Sequence, residues 1–179
     1  EDAEKFWEEW EVWFTEIDES HTSLAALVFF RSSRVNQSWV HTAAVVLDAA
    51  SLYLSIFKEP QVRFLPIIIR AGVFALRHIA DFFQLPYDPD PHFPDQPISI
   101  TRAQFDAGWK ILADHGLEMV EDQNIAWQNF AGWRVNYDAT LNALHELTMS
   151  PDFAWLPKVT FVPPDPDKNE TGGQLQELS

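Results

Sequence analysis

The chain has 179 residues, no cysteine and a formal net charge of −15, and 46% of its residues are hydrophobic, including 14 Phe and 8 Trp. This length and aromatic content suffice for one domain with a substantial core, and they exclude a largely disordered chain. The missing cysteines exclude disulfides, Cys-ligated metals and a Cys nucleophile, and the shortage of Lys and Arg argues against a nucleic-acid partner.

The first predicted element is an amphipathic helix over Ala3–Asp18. Its apolar residues recur at three- and four-residue steps, which is typical of a face that packs on a core: Phe6, Trp10, Trp13, Phe14 and Ile17. The alternative is an aromatic binding surface, and we expect an isolated chain to self-associate through residues 6–17. Thr22–Ser32 predicts a short second helix, either separate or continuous with the first through Ser20-His21, and a strand around Leu27–Phe30 is its alternative.

Longer helices follow. Ser38–Phe57 is apolar nearly all round, which predicts the most buried helix, with Ser38 as its N-cap. The next helix runs from Pro60 to about Gln84, and Pro66 either kinks it or marks its true start. Two windows, Trp39–Phe57 and Phe64–Ala80, approach membrane-span length. Because both carry charged residues near their middle, they indicate buried helices of a soluble bundle.

The C-terminal half begins with a proline-rich crossing, since residues 86–97 hold five prolines. A helix capped by Ser99 or Thr101 then runs to about Gly116, and Asp122–Met149 forms the last long helix. The periodicity of this last helix predicts an inward face: Ile125 or Ala126, Phe130, Trp133, Tyr137, Leu141 and Leu144. The sequence therefore predicts an all-α bundle of five to six helices with a Pro-rich crossing. Residues 1–162 would form one helical domain, and residues 163–179 a disordered acidic tail.

The polar residues inside the first apolar stretch predict a structural clasp. Arg31 is expected to pair with Asp48, while Ser32 and Ser38 bond to the turn between their helices. The link between these helices is only five residues long, so the helices must fold back on each other. Arg70 is the alternative partner of Asp48. A buried ion pair of this kind favours register more than net stability.

Two other polar pairs are candidates for a metal-binding or catalytic site. His41 and Asp48 lie two turns apart on one helix, but neither has the spacing of a helix-borne metal site. Arg134 and Asp138 are spaced as an ordinary helix-face ion pair. The alternative is that Arg134 points inward and caps a carbonyl. No nucleophile elbow or phosphate loop is present, so we expect no catalytic residue and no cofactor.

An ordered pattern in the first third of the chain resembles a known family. The pattern is Ser20-His21, Ser23, Phe30-Arg31-Ser32, Asn36-Gln37-Ser38-Trp39 and Leu47-Asp48, preceded by Phe6-Trp7-Glu8-Glu9-Trp10-Glu11. It resembles the cytosolic C-terminal region of bacterial two-transmembrane-pore, potassium-channel-like ion channels. The chain departs at Leu24-Ala25, where relatives usually carry Tyr-Pro, and at Ser33-Arg34-Val35, where they carry Gln-His-Asp.

The resemblance implies a non-catalytic domain at the cytoplasmic face of the bacterial inner membrane, serving assembly or gating. Its partners would be its own transmembrane pore and further copies of itself, and its ligand is unknown. The sequence contains no selectivity-filter run. The alternative hypothesis is a free-standing helical enzyme or small-molecule-binding protein with a site around Arg31, His41 and Asp48.

Overall fold

The fold is all helical in the part of the chain that a computed structural model describes, namely residues 2–29, 38–58, 64–150 and Trp155. This confirms the predicted class of an all-α multi-helix bundle. The elements are α1 (Asp2–Ser23), a 3-10 helix (Ala25–Phe29), α2 (Trp39–Ile56), α3 (Leu65–Phe82), α4 (Arg102–Asp114) and α5 (Gln123–Leu147).

The helix ends follow from local chemistry. Ser38 caps α2 by accepting a hydrogen bond from the next turn, Thr101 forms a capping box at α4, and Asp122 caps α5. Pro66 lies in the first turn of α3, so it marks the start of that helix and does not kink it. Gly116 follows α4 with a φ of +76°, the left-handed conformation that glycine adopts without strain.

The predicted second helix is the main difference within the described residues. The first helix continues to Ser23, and Ala25–Phe29 is a 3-10 helix, so neither the separate α-helix nor the alternative strand forms there. Residues 30–32, the predicted helical start at residues 60–63 and the predicted disordered tail at residues 163–179 lie outside the described residues.

The main core lies between α1, α2, α3 and α5. Ten of the eighteen residues of α2 are buried, and its exposed residues, Val45 and Ala49, lie one turn apart on a single face. Gly72 of α3 permits the close approach of its neighbours, because an added Cβ would lie 2.6 Å from Leu47 Cδ2 and 2.9 Å from Phe14 Cζ. The packing of α1, α2 and α3 therefore converges at Gly72.

The aromatic face of α1 packs on this same core. Phe14 and Ile17 are buried, and Trp7, Trp10 and Trp13 are partly buried against the core. The interpretation of this face as core is therefore right. Phe6 remains 53% exposed and the three Trp side chains are only partly covered, so self-association through residues 6–17 stays a prediction.

A second, smaller core joins α4 to the first half of α5. It consists mainly of aromatic and small apolar side chains: Ile100, Phe105, Ala126, Trp127, Phe130 and Ala131. The proline-rich crossing leads into it and is held against α3 by Arg77, whose Nη1 donates to the Pro89 carbonyl at 2.8 Å. Because α5 contributes to both cores, this helix joins them.

One helix of the described residues, α2, is long and apolar enough to cross a membrane by length and composition alone. In this fold 56% of that helix is buried against the rest of the chain. A core helix of a bundle has the same composition, and α2 serves as one here.

Candidate functional site

A network of polar side chains lies between α2 and α5, with Asp48 at its centre. The buried Asp48 carboxylate accepts hydrogen bonds from the Nη1 of Arg134, from the Tyr137 hydroxyl at 2.8 Å and from the indole Nε1 of Trp155 at 3.0 Å. Because Tyr137 donates its only hydroxyl proton to Asp48, the Ser51 hydroxyl, 3.0 Å away, donates to the Tyr137 oxygen.

Arg134 connects Asp48 to a second carboxylate. Its Nε donates to Asp138 Oδ1 at 2.7 Å, and its Nη2 donates to Ser99 Oγ at 3.2 Å. Asp138 also accepts from the Ser99 backbone N–H at 2.9 Å, the Ser99 hydroxyl at 2.7 Å and the Asn142 amide at 3.2 Å. We call this set the Asp48–Arg134 cluster: Asp48, Ser51, Ser99, Arg134, Tyr137, Asp138, Asn142 and Trp155.

The cluster forms because α2 and α5 run antiparallel. The start of α2 lies near the end of α5, and Val120, just before α5, donates its N–H to the Ile56 carbonyl at the end of α2 at 2.7 Å. Arg134, Tyr137 and Asp138 follow at three- and four-residue steps, so they share the face of α5 that meets Asp48. The crossing then carries Ser99 onto the same face.

Burial determines the electrostatics of the cluster. It raises the pKa of Asp48 above its ordinary value, an effect that the positive charge of Arg134 and the hydrogen bonds from Tyr137 and Trp155 only partly offset. Burial is the largest single influence on Arg134 and opposes its charge, but the charges of Asp48, Tyr137 and Asp138 together with the hydrogen bond to Asp48 outweigh it and raise the pKa of the guanidinium. Arg134 is therefore a permanent buried cation, and Asp48 is easier to protonate than an exposed aspartate.

The residues of the predicted clasp have different surroundings from those expected. Ser38 Oγ accepts from the His41 backbone N–H at 3.1 Å. Arg31 and Ser32 lie outside the described residues, so a contact of Arg31 with Asp48 stays a prediction. Arg70 does not reach Asp48, because its guanidinium lies over the Phe74 ring, 5.2 Å from the ring centre, on the exposed face of α3.

The prediction for Arg134 and Asp138 requires the larger correction. The predicted four-residue ion pair does form, at 2.7 Å, but its side chains are only 3% and 7% exposed, so it is a buried pair and not an ordinary helix-face pair. Arg134 does point inward, but it binds the Asp48 carboxylate and not a carbonyl. One signal in the sequence was available: Arg134 lies four residues after Phe130 and three before Tyr137, both predicted to face inward.

The remaining candidate residues are also accounted for by packing. Among the described residues, no group of three His, Asp or Glu could hold a metal ion. His41 lies in the first turn of α2, and burial together with nearby His145 lowers its pKa. A shallow cleft of about 460 Å³ borders the cluster at Ser99 and Asn142. Both residues donate hydrogen bonds to Asp138, which does not itself line the cleft.

A second contact joins α1 to α2, and we call it the α1–α2 joint. The His21 ring meets the Trp39 ring edge to face, with centroids 4.8 Å apart, and a His21 ring nitrogen is 2.9 Å from the Ser20 hydroxyl. Trp39 donates its indole N–H to the Val28 carbonyl at 3.0 Å. The other His21 nitrogen, Nε2, is buried with no hydrogen-bond partner in the described part of the chain.

This joint predicts that acidification destabilises the protein. Burial lowers the pKa of His21 below its ordinary value of 6.5. As the pH drops below 6.5, His21 of the unfolded chain is protonated while His21 of the folded chain stays neutral. The free energy of unfolding therefore decreases as the pH decreases, until the pH reaches the pKa of His21 in the folded chain. Urea unfolding at several pH values should show this loss, and His21→Phe should reduce it while keeping the ring contact. Parallel stability curves for the two proteins would show that His21 plays no part.

Comparisons with family models, with curated proteins and with solved structures found no match to this chain. The described part of the chain is therefore an all-α bundle with a buried ion-pair network, in which Arg134 binds both Asp48 and Asp138.

Proposed function

We propose that the chain is the non-catalytic cytosolic domain of a bacterial potassium-channel-like membrane protein, lying at the cytoplasmic face of the inner membrane and serving assembly or gating. In this proposal α1 follows the pore segment of the same protein. The domain would act through two arrangements of unequal free energy, and the pore would respond to the balance between them.

The observation that carries the proposal is that residues of the pattern resembling the channel family make structural contacts in this fold. Ser20, His21 and Trp39 of the pattern form the α1–α2 joint, and Ser38 caps α2. Asp48, the last residue of the pattern, anchors the Asp48–Arg134 cluster. These residue types therefore match the packing requirements of this bundle, which supports a family resemblance based on a shared fold.

The packing of α1 supports a coupling role. The helix is tied to α3 along its aromatic face and by Asp18, whose carboxylate contacts the His78 ring at 2.7 Å. A displacement at the N-terminal end of α1 would thus be transmitted to α2 and α3 as a rigid-body movement. The outward side of α1 carries exposed Glu8, Glu9 and Glu16, a charge that would concentrate cations near an inner pore mouth.

The proposal predicts that the α1–α2 joint controls conduction. The whole protein encoded by the gene, reconstituted in liposomes, should carry a potassium flux. Replacing Trp39 by Leu should change the fraction of open channels while leaving ion selectivity unchanged, because the pore is not altered. Val12→Ser, at an exposed position of α1, is the matched control and should behave as wild type. No flux from the whole protein would contradict the proposal, as would a flux that Trp39→Leu leaves unchanged.

A further inference from the structure

The outer face of α3 carries large apolar side chains that the described residues leave about half exposed. Ile67, Phe74 and Phe82 are 48%, 56% and 48% exposed. At 3.6 residues per turn they fall on one side of the helix, along about 22 Å of its length. Arg70 and Asp81 are exposed on the same side. We call these five residues the α3 outer face.

The two charged residues of this face, Arg70 and Asp81, are placed so that a twofold rotation brings Arg70 of one copy towards Asp81 of another. If a second copy packs its α3 antiparallel, with the axis midway between residues 74 and 75, the two Phe74 side chains are neighbours across the axis and Ile67 faces Phe82 of the second copy. Arg70 then lies about 3 Å along the helix axis from Asp81 of the second copy, which its long side chain can reach. A twofold interface requires a surface that is complementary to itself, and the order apolar, positive, apolar, negative, apolar along one helix meets that requirement.

The two charged groups are available for such a pairing. The Arg70 guanidinium rests on the Phe74 ring and makes no ion pair with a described residue. Asp81 accepts one hydrogen bond, at Oδ2 from the Tyr87 hydroxyl at 3.1 Å. The His78 ring, also exposed on this face, already contacts the Asp18 carboxylate at 2.7 Å. An anionic membrane surface fits less well, because the face holds one Arg beside one Asp and the chain carries a net charge of −15.

We infer that the α3 outer face is a self-association surface, which joins two copies of this chain through antiparallel α3 helices. One helix face buries less than the ~1,200–2,000 Å² of a standard stable interface, so the dimer is weak in solution. The inference concerns the isolated chain, so it does not depend on attachment to a pore. Tethering several copies to one membrane assembly would raise their effective concentration and favour the contact.

The first test is sedimentation velocity of the chain over a wide range of concentrations. Wild type should show a reversible monomer–dimer equilibrium, and Phe74→Ser should weaken it by about tenfold or more, since it removes the apolar centre of the interface. Val12→Ser, at a position 58% exposed on α1, is the control and should dimerise as wild type. A chain that stays monomeric at its highest soluble concentration would overturn the inference, as would equal effects of the two variants.

The second test addresses the twofold geometry. Arg70→Asp and Asp81→Arg should each weaken the dimer, because like charges then face each other, and the double variant should restore it. The chain has no cysteine, so Phe74→Cys places a single thiol at the proposed axis and should give a disulfide-linked dimer under mild oxidation. Val45→Cys on α2 should not. If the thiol of a monomeric Phe74→Cys variant were protected from a water-soluble maleimide, the chain would cover this face itself, and the inference would be overturned.

Discussion

Replacing Arg134 by Met is expected to lower the free energy of unfolding by about 3–5 kcal/mol, which is the usual cost of breaking a buried ion pair on one side. The variant keeps most of the side-chain volume but leaves Asp48 and Asp138 buried without their shared cation. Hydrogen bonds from Tyr137 and Ser99 remain, yet they do not neutralise the charge. Urea unfolding at neutral pH measures the loss.

A matched control lies on α4. Arg102 and Asp106 have the same four-residue spacing as Arg134 and Asp138, with a contact of 2.7 Å, but their side chains are 38% and 43% exposed. Arg102→Met should therefore cost less than about 1 kcal/mol. Equal losses in the two variants would mean that the Asp48–Arg134 cluster is no more desolvated than the surface pair.

The cost of Arg134→Met should also depend on pH. Without its cation, Asp48 has a folded-state pKa even further above that of the unfolded chain, because burial already raises it. A group with a raised folded pKa loses stability as pH increases through the interval between the two pKa values. The destabilisation should thus be smaller at pH 5 than at pH 8. If the stability loss of Arg134→Met did not change with pH, it would come from lost packing alone and not from the charge of Asp48.

Replacing Phe14 by Ala is the second change expected to have a large effect, a loss of about 3–5 kcal/mol. Phe14 is completely buried and lies against α3 where Gly72 permits close approach, so its truncation leaves a cavity between the two helices. Calorimetry or urea unfolding would detect the loss, and limited proteolysis should then cut within α1 before the rest of the chain.

Val12→Ala is the control for this change, because Val12 lies on the same helix with its side chain mainly in solvent. It should change stability by less than about 0.5 kcal/mol. If Phe14→Ala cost no more than Val12→Ala, the packing of α1 on α3 would be refuted, and the whole aromatic side of α1 would be open to a second copy.

Most helix positions could be predicted from the sequence because the signals are local. A cap such as Thr101, a first-turn proline such as Pro66 and a left-handed glycine such as Gly116 each act within one turn of the chain. The 3-10 helix at Ala25–Phe29 was missed because its apolar composition suits several conformations, and the choice between them depends on packing.

The ion-pair partners could not be predicted because they depend on which helices become neighbours. Asp48 and Arg134 are 86 residues apart in the chain, and their contact requires α5 to lie antiparallel to α2. Proximity in sequence favoured Arg31 and Arg70 as partners of Asp48. Periodicity identified the inner face of α5 but treated an arginine within it as exposed, since an isolated buried charge is costly.

The measurement that tests the proposed function most directly is the sequence of the gene upstream of the codon for Glu1. A pore-attached domain requires two apolar spans of about 20 residues there, flanking a selectivity-filter-like run of the Thr-x-Gly-Tyr-Gly type. We expect this arrangement, with the second span leading into α1. A start codon close to Glu1, or an upstream region without these spans, would contradict the proposal.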